Sequence, residues 1–364
     1  MIYRKYGKTG KKISLLGFGG MRFTDNRKES INSLLRAVEL GVNYFDTAPT
    51  YCNSTSEEII GEALSRVKGK EIYVSTKSSL MSDKTSDDVL KRIETSLKKL
   101  KVDKINIFHL WCVMNREHFE KLLVKNGPYE GALKAKEQGL VEHISFSTHA
   151  SGEDIQYICD TGLFEGVLLG YNVINYKYRG PALAAAEKNN MGVVTMNPLG
   201  GGLLTKTFEL FDFMEGDSNS RHISGALRFN ASHREITSVL SGMSTVKEVE
   251  ENVKTLENFS KPSPDFVEKV KKLYENLGDD FCTDCRYCVP CPQGIFIPAY
   301  MRAYDYHKMQ RPDVGFGLLK LFKNMLKEWT PSSECIECGE CEEKCTQHLK
   351  IIDSLEICSK VYNV

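Results

Sequence analysis

The sequence predicts an α/β chain in which a (β/α)8 TIM barrel is followed by a small, mostly helical domain. Two observations carry this. Short β-rich runs alternate with amphipathic helical stretches throughout residues 1–260. After Ser260-Lys261-Pro262-Ser263-Pro264, a polar and proline-bearing stretch, the alternation stops and cysteines crowd the chain. The domains are therefore expected at 1–260 and 261–364.

The barrel strands are read at Ile13–Leu16, Asn43–Asp46, Ile72–Thr76, Ile105–Leu110, His143–Ser147, Gly166–Gly170, Gly192–Met196 and Ile236–Leu240. Helices are read between them, at Ser30–Leu40, Ser86–Leu100 and Pro181–Asn189 among others. In Ser86–Leu100 the apolar residues Val89, Leu90, Ile93, Leu97 and Leu100 recur at helical spacing and share one face. Such β–α units close naturally into one parallel barrel. A doubly wound open sheet is the alternative, but Gly17-Phe18-Gly19-Gly20 lacks the glycine spacing of a dinucleotide-binding turn. Past the polar stretch, a helix is expected near Asp265–Leu277.

Lys+Arg and Asp+Glu both number 48, so the formal net charge is zero. No global field draws the chain to nucleic acid or to an anionic membrane. The opening residues hold no long apolar run, and no stretch approaches the length of a membrane span. A cytoplasmic location is expected.

Function in such a barrel sits at the C-terminal ends of the strands. Asp46 ends the second strand, Tyr51 follows in its loop, Lys77 ends the third strand and His109 the fourth. These residue types suit carbonyl reduction. A hydride delivered to a carbonyl carbon leaves negative charge on oxygen, which needs a proton. A tyrosine supplies it if a nearby ammonium favours its phenolate form. An aspartate holds the lysine in place, and a histidine orients the carbonyl. Singly, each residue has an ordinary structural use. Together, on three consecutive strand ends, they form a candidate catalytic group.

In order and spacing, Asp46, Tyr51, Lys77 and His109 resemble the catalytic tetrad of the aldo-keto reductases. The likeness runs from about Ile2 to Asn258 and includes Phe45-Asp46-Thr47-Ala48 and Gly192-Val193-Val194-Thr195-Met196-Asn197-Pro198-Leu199-Gly200-Gly201-Gly202. It implies an NAD(P)H coenzyme, with NADP versus NAD left open, and a small-molecule carbonyl or alcohol substrate. It also implies coenzyme contacts from Ser147, Met196, Pro198, Leu199, Gly200, Gly201 and Gly202, the glycines lying beneath the pyrophosphate. Gly242, Ser244, Glu251 and Asn252 fall at the adenosine end. The chain departs from the family at Ser147-Thr148, where Ser-Asn is usual, and at Leu168 or Gly170, where a glutamine is usual. Met196 replaces a stacking aromatic. Gly242 and Glu248 stand where basic residues often hold a 2′-phosphate.

The chain has 12 cysteines. Cys52, Cys112 and Cys159 are scattered, whereas the rest lie between Cys282 and Cys358. One run is Cys282-x2-Cys285-x2-Cys288-x2-Cys291-Pro292, and the other Cys335-x2-Cys338-x2-Cys341-x3-Cys345. The second has ferredoxin spacing, and the first is one residue short before its proline. Paired zinc sites are the alternative, although these more often use separated cysteine pairs. Cys358 falls outside both runs and is expected to be a buried free thiol. The runs resemble a ferredoxin-like module holding two [4Fe–4S] clusters. By that resemblance the fourth cysteine of each run crosses to the other's cluster, grouping Cys282, Cys285, Cys288 with Cys345 and Cys335, Cys338, Cys341 with Cys291. Each run closing its own cluster remains the other scheme.

The leading expectation is an oxidoreductase of aldo-keto reductase type, its clusters passing electrons to or from a ferredoxin or another carrier. Two alternatives stand beside it: an ordinary NAD(P)H carbonyl reductase with structural clusters, and a non-enzymatic redox-sensing module.

Overall fold

The structure, a computed structural model, describes residues 1–205, 214, 221–257, 259, 263–277, 281–282, 285–326 and 328–363. Of the stretch expected to join the domains, Ser260, Lys261 and Pro262 lie outside the described residues. The chain divides into two compact units, residues 1–198 with 216–262, and residues 199–215 with 263–364.

In the first unit, β1 (Tyr3–Lys5) and β2 (Lys12–Ser14) form an antiparallel hairpin. Eight parallel strands then close a barrel: β3 (Leu16–Gly19), β4 (Tyr44–Asp46), β5 (Tyr73–Ser79), β6 (Ile105–Val113), β7 (Val141–Thr148), β8 (Gly166–Gly170), β9 (Gly192–Met196) and β10 (Ser238–Ser241). β10 pairs with both β9 and β3 and so completes the ring.

The expected first strand, Ile13–Leu16, is in fact two. Ile13 pairs back with Arg4 in the hairpin, whereas the barrel strand begins at Leu16, opposite Val239. The apolar run Ile13-Ser14-Leu15-Leu16 reads as one strand only because both halves are buried. Ile13 and Tyr6 belong to the same core cluster as Tyr44, Tyr73, Ile107, Leu168, Val194 and Leu240. Tyr6 is fully buried, and a side chain at Gly166 or Gly192 would overlap its ring, so both strands begin with glycine.

The helix at Ser86–Leu100 forms as expected. Thr85 Oγ1 accepts from the Asp88 amide at 3.2 Å, and the Asp88 carboxylate accepts from the Thr85 amide at 2.9 Å, a reciprocal cap. Val89, Ile93 and Leu100 face the core. The helix expected from Pro181 instead spans Tyr176–Lys188 and runs through the proline, whose ring packs beside Gly152. The helix near the domain junction spans Pro264–Leu277.

The second unit is built from that helix and from Ile297–Lys308, Pro312–Met325 and Ile351–Tyr362, with a single turn at Glu340–Glu343. Its core joins Ile297, Tyr300, Met301, Leu319, Leu355 and Tyr362 to Cys341, Cys345 and Cys358. Gly315 leaves room for the Tyr362 ring, whose hydroxyl donates to the Ala303 carbonyl at 2.8 Å. The sequence reading put residues 1–260 in the barrel; of these, the described residues Leu199–Thr205 group with the second unit. Part of the reason lies in Arg302, which donates to the Gly201 carbonyl. Among the described residues, no helix is long and apolar enough to cross a membrane.

Candidate active site and cluster centres

Strand register brings Asp46, Lys77 and His109 to one end of the barrel, and Tyr51 lies in the segment that follows β4. β4 and β5 pair Asp46 with Ser75, and β5 and β6 pair Lys77 with His109. Side chains two residues apart on a strand share a face, so Ser75 and Lys77 both reach Asp46. Lys77 Nζ donates to Asp46 Oδ2 and to the Thr47 carbonyl, each at 2.6 Å. Ser75 donates to Asp46 Oδ1 at 2.7 Å, and Tyr44 donates to Ser75 at 2.8 Å. Lys77 is 0% exposed and Asp46 3%. Such added hydrogen bonds offset part of the hydration that a buried ion pair gives up.

Tyr51 is half-buried, with Lys77 Nζ 5.0 Å from its ring centroid. The Trp111 ring meets it edge-on, centroids 6.0 Å apart and planes at 82°. The next residues, Cys52, Asn53 and Ser54, all have positive φ, at 51°, 52° and 67°. Side-chain-bearing residues seldom stay in that region together, because each costs free energy there. Thr55 Oγ1 ties the turn by donating to the Cys52 carbonyl at 2.6 Å.

His109 is fully buried, and its Nε2 lies 3.4 Å from the Tyr44 hydroxyl and 3.8 Å from Asp46 Oδ1. Burial first, and then the Lys77 ammonium, hold its pKa well below the usual imidazole value. The ring is therefore neutral near pH 7. Its Nδ1 is buried and has no hydrogen-bond partner among the described residues.

In the second unit the cysteines surround two hollows. One is lined by Cys282, Cys285, Cys288 and Cys345, with Pro298 and Met301. The other is lined by Cys291, Cys335, Cys338 and Cys341, and Cys288 lines both. Counting their open mouths, they enclose about 340 and 370 Å3. Among the described residues, no three His, Cys, Asp or Glu side chains close on a point where a single ion would sit. The cysteines about each hollow match the ligand set of a four-iron cubane. The Leu349 amide donates to Cys345 Sγ at 3.4 Å, and Asp305 accepts from the Cys282 amide at 3.2 Å. Cys358 is buried outside both hollows and donates to the Tyr300 carbonyl at 3.4 Å.

The model of the aldo/keto reductase family matches residues 15–275. The chain belongs to this family. A 4Fe-4S dicluster domain matches residues 281–349, so this aldo-keto reductase carries an iron–sulfur domain at its C-terminal side. It is similar to the L-galactose dehydrogenase of Arabidopsis thaliana, 28% identical over 280 residues, covering 69% of this chain and 86% of that one. It is also similar to the aldo-keto reductase yakc [NADP(+)] of Schizosaccharomyces pombe, 26% identical over 225 residues, covering 56% and 64% of the two chains. In fold it resembles aldo-keto reductase AKR11C1 from Bacillus halodurans, with TM-score 0.63 and 19% identity over 75% of this chain and 96% of that one. The reductase is an oxidoreductase.

The residues expected to bind coenzyme in this reductase fall into three groups. Ser147 is buried at the end of β7, its Oγ without a hydrogen-bond partner among the described residues; Thr195 Oγ1, next to half-buried Met196 on β9, is also without one. The orphaned Ser147 hydroxyl fits a ligand that brings its own donors and acceptors, as a nicotinamide carboxamide does; Thr195, between the interior-facing Val194 and Met196, points to the opposite face of β9. Leu199 and Gly200, Gly201 and Gly202, whose φ values are 56°, 65° and 90°, group with the second unit, whereas Pro198 stays with the barrel. At the adenosine end, Gly242 lies against the Arg22 side chain, and Ser244 Oγ donates to the Arg22 carbonyl at 2.6 Å. Asn252 donates to Ser241 Oγ at 3.1 Å, and Glu251 lies 3.7 Å from Lys247. Glu248 accepts from the amides of Ser244 and Thr245 at 2.7 and 3.1 Å.

Sequence reasoning missed Tyr44, Ser75 and Trp111. Each lies two residues from a residue it did find, Asp46, Lys77 or His109, so the period of two along a strand was the available signal.

Proposed function

We propose that this reductase interconverts a small-molecule carbonyl and its alcohol with NAD(P)H, and that two [4Fe–4S] clusters exchange electrons with a ferredoxin or similar carrier. The observation that carries the catalytic half is the buried Asp46–Lys77 pair beside Tyr51. Asp46 keeps Lys77 charged and in place. The Lys77 ammonium favours the phenolate form of Tyr51, so the phenol gives up its proton more readily to the carbonyl oxygen. His109, neutral because of burial and the Lys77 ammonium, would orient that carbonyl from the next strand. Trp111 packs edge-on against Tyr51 and would help hold its ring in place. When bound, the coenzyme supplies the hydride, and Ser147 would hold its carboxamide.

For the clusters, Cys282, Cys285, Cys288 and Cys345 would hold one, and Cys291, Cys335, Cys338 and Cys341 the other. The membership of the two hollows supports this crossed scheme over closure within each run. When bound, the clusters supply one-electron storage. A second reading, that they only stabilise the fold, has its own support: Cys341 and Cys345 sit in the core of their unit.

The test is steady-state turnover by anaerobically purified protein with NADH or NADPH, a carbonyl and alcohol panel that includes sugars, and reduced ferredoxin present or absent. Turnover with coenzyme, together with cluster bleaching during it, supports the full proposal. Full turnover with no bleaching favours structural clusters. No turnover in any combination overturns the catalytic assignment.

A further inference from the structure

The helix Ile297–Lys308 carries contacts of two kinds within the second unit. Pro298 and Met301 line the hollow of Cys282, Cys285, Cys288 and Cys345. Asp305, fully buried, accepts from the Cys282 amide with both carboxylate oxygens at 3.2 Å. Between these residues, Arg302 Nη2 donates to the Gly201 carbonyl at 3.0 Å. Its Nη1 is buried and has no hydrogen-bond partner among the described residues. Gly201 sits in a turn closed by the Gly202 and Leu204 amides on the Leu199 carbonyl, at 3.0 and 3.1 Å. With three successive glycines at positive φ, that turn has little side-chain packing of its own to hold it. Among the described residues, Arg302 is a charged group that holds it.

We propose that this helix couples the cluster at Cys282, Cys285, Cys288 and Cys345 to the coenzyme-phosphate turn, with Arg302 as the positioning residue. The proposal rests on the reading of Leu199–Gly202 as the pyrophosphate site. The physical chain is short. A cluster gives four thiolates a common anchor and fills the hollow under Pro298 and Met301. It thereby fixes the Cys282 amide against Asp305, and with it the helix turn that bears Arg302. Arg302 in turn fixes the Gly201 peptide. Its Nη1 is a charge-assisted donor held next to the glycines, where a phosphate oxygen would complete its bonding. Binding coupling is reciprocal. Coenzyme on the turn must therefore strengthen retention of this cluster to the same degree that the cluster strengthens coenzyme binding.

The test uses full-length, cluster-loaded protein under anaerobic conditions, titrated with NADH and with NADPH by fluorescence, and challenged with an iron chelator while cluster absorbance is followed. In Arg302→Gln the coenzyme Kd is expected to rise about fivefold or more, the lower end of ordinary coupling, with iron content unchanged. Coenzyme should slow chelator removal of iron in the wild type and have no such effect in Arg302→Gln. Arg302→Lys keeps the charge but loses the planar fork, and is expected midway. It carries the test if the glutamine variant does not load its clusters. Wild-type affinity together with wild-type protection in the substituted protein overturns the coupling. Gly201→Val separates the underlying reading, since a branched side chain at φ 65° distorts the turn. If that variant binds coenzyme normally, the turn is not the phosphate site. If it weakens binding while Arg302→Gln does not, only the coupling fails.

Discussion

The barrel and the C-terminal unit position their chemistry in opposite ways. In the barrel, Asp46, Lys77 and His109 stand on three adjacent strands, and hydrogen-bond register alone decides which side chains meet. The resulting Asp46–Lys77 pair is already made and buried before any ligand arrives. In the C-terminal unit, only Cys341 of the eight cluster-type cysteines lies within a helix, and the others lie in loops and turns. Their hollows are walled by helices but lined by thiols borne mostly on loops. A site set by register is rigid without its cofactor and fails when one member is removed. A site set by loops gains its order from the group it holds.

The sharpest way to break this comparison is at Lys77. Lys77→Met should leave the Asp46 carboxylate buried and unpaired, costing about 3–5 kcal/mol. Chemical denaturation followed by tryptophan fluorescence measures it, and adding Asp46→Asn should recover part of the loss. A loss below about 1 kcal/mol would mean that the pair is far better solvated than its burial implies.

Next in size is the chemical step itself. Tyr51→Phe keeps the ring against Trp111 but removes the proton, so turnover should fall at least about 100-fold. Coenzyme binding and cluster absorbance should not change. Wild-type turnover in this variant would remove Tyr51 from the role of acid.

The loop-built site is probed by iron content. Cys291 and Cys335 line the same hollow, although they come from different runs. The double variant Cys291→Ala with Cys335→Ala should therefore retain one cluster, about half the wild-type iron. Loss of both clusters in the double variant, with only one lost in each single variant, would show that each run closes its own.

The smallest effect is expected at the adenosine end. The Glu248 carboxylate occupies the amides of Ser244 and Thr245 and repels a 2′-phosphate brought near them. Glu248→Gln should raise NADPH affinity relative to NADH by about two- to fivefold, the size of a surface helix-terminus charge effect. An unchanged ratio places coenzyme selection elsewhere.

Much of this was legible in the sequence, but unevenly. The eight β–α units were visible because buried parallel strands are short apolar runs, and amphipathic helices keep their period. The break between β2 and β3 was not, because a residue buried under the barrel and one buried in its wall have the same composition. Pro181 misplaced a helix start because prolines favour first turns, and only the space beside Gly152 shows that this one is interior.

By itself, the sequence determined the barrel class, the identity of the four catalytic candidates and the two cysteine runs. These depend on local spacing, along a strand or within a loop, which chain geometry preserves wherever the segment goes. Only the tertiary structure decided that Tyr44, Ser75 and Trp111 join the site, which cysteines share a hollow, and that the turn at Leu199–Gly202 belongs with the helix bearing Arg302. Each of these is a contact between residues far apart in the chain. Such contacts are selected by register and packing, which no local pattern encodes.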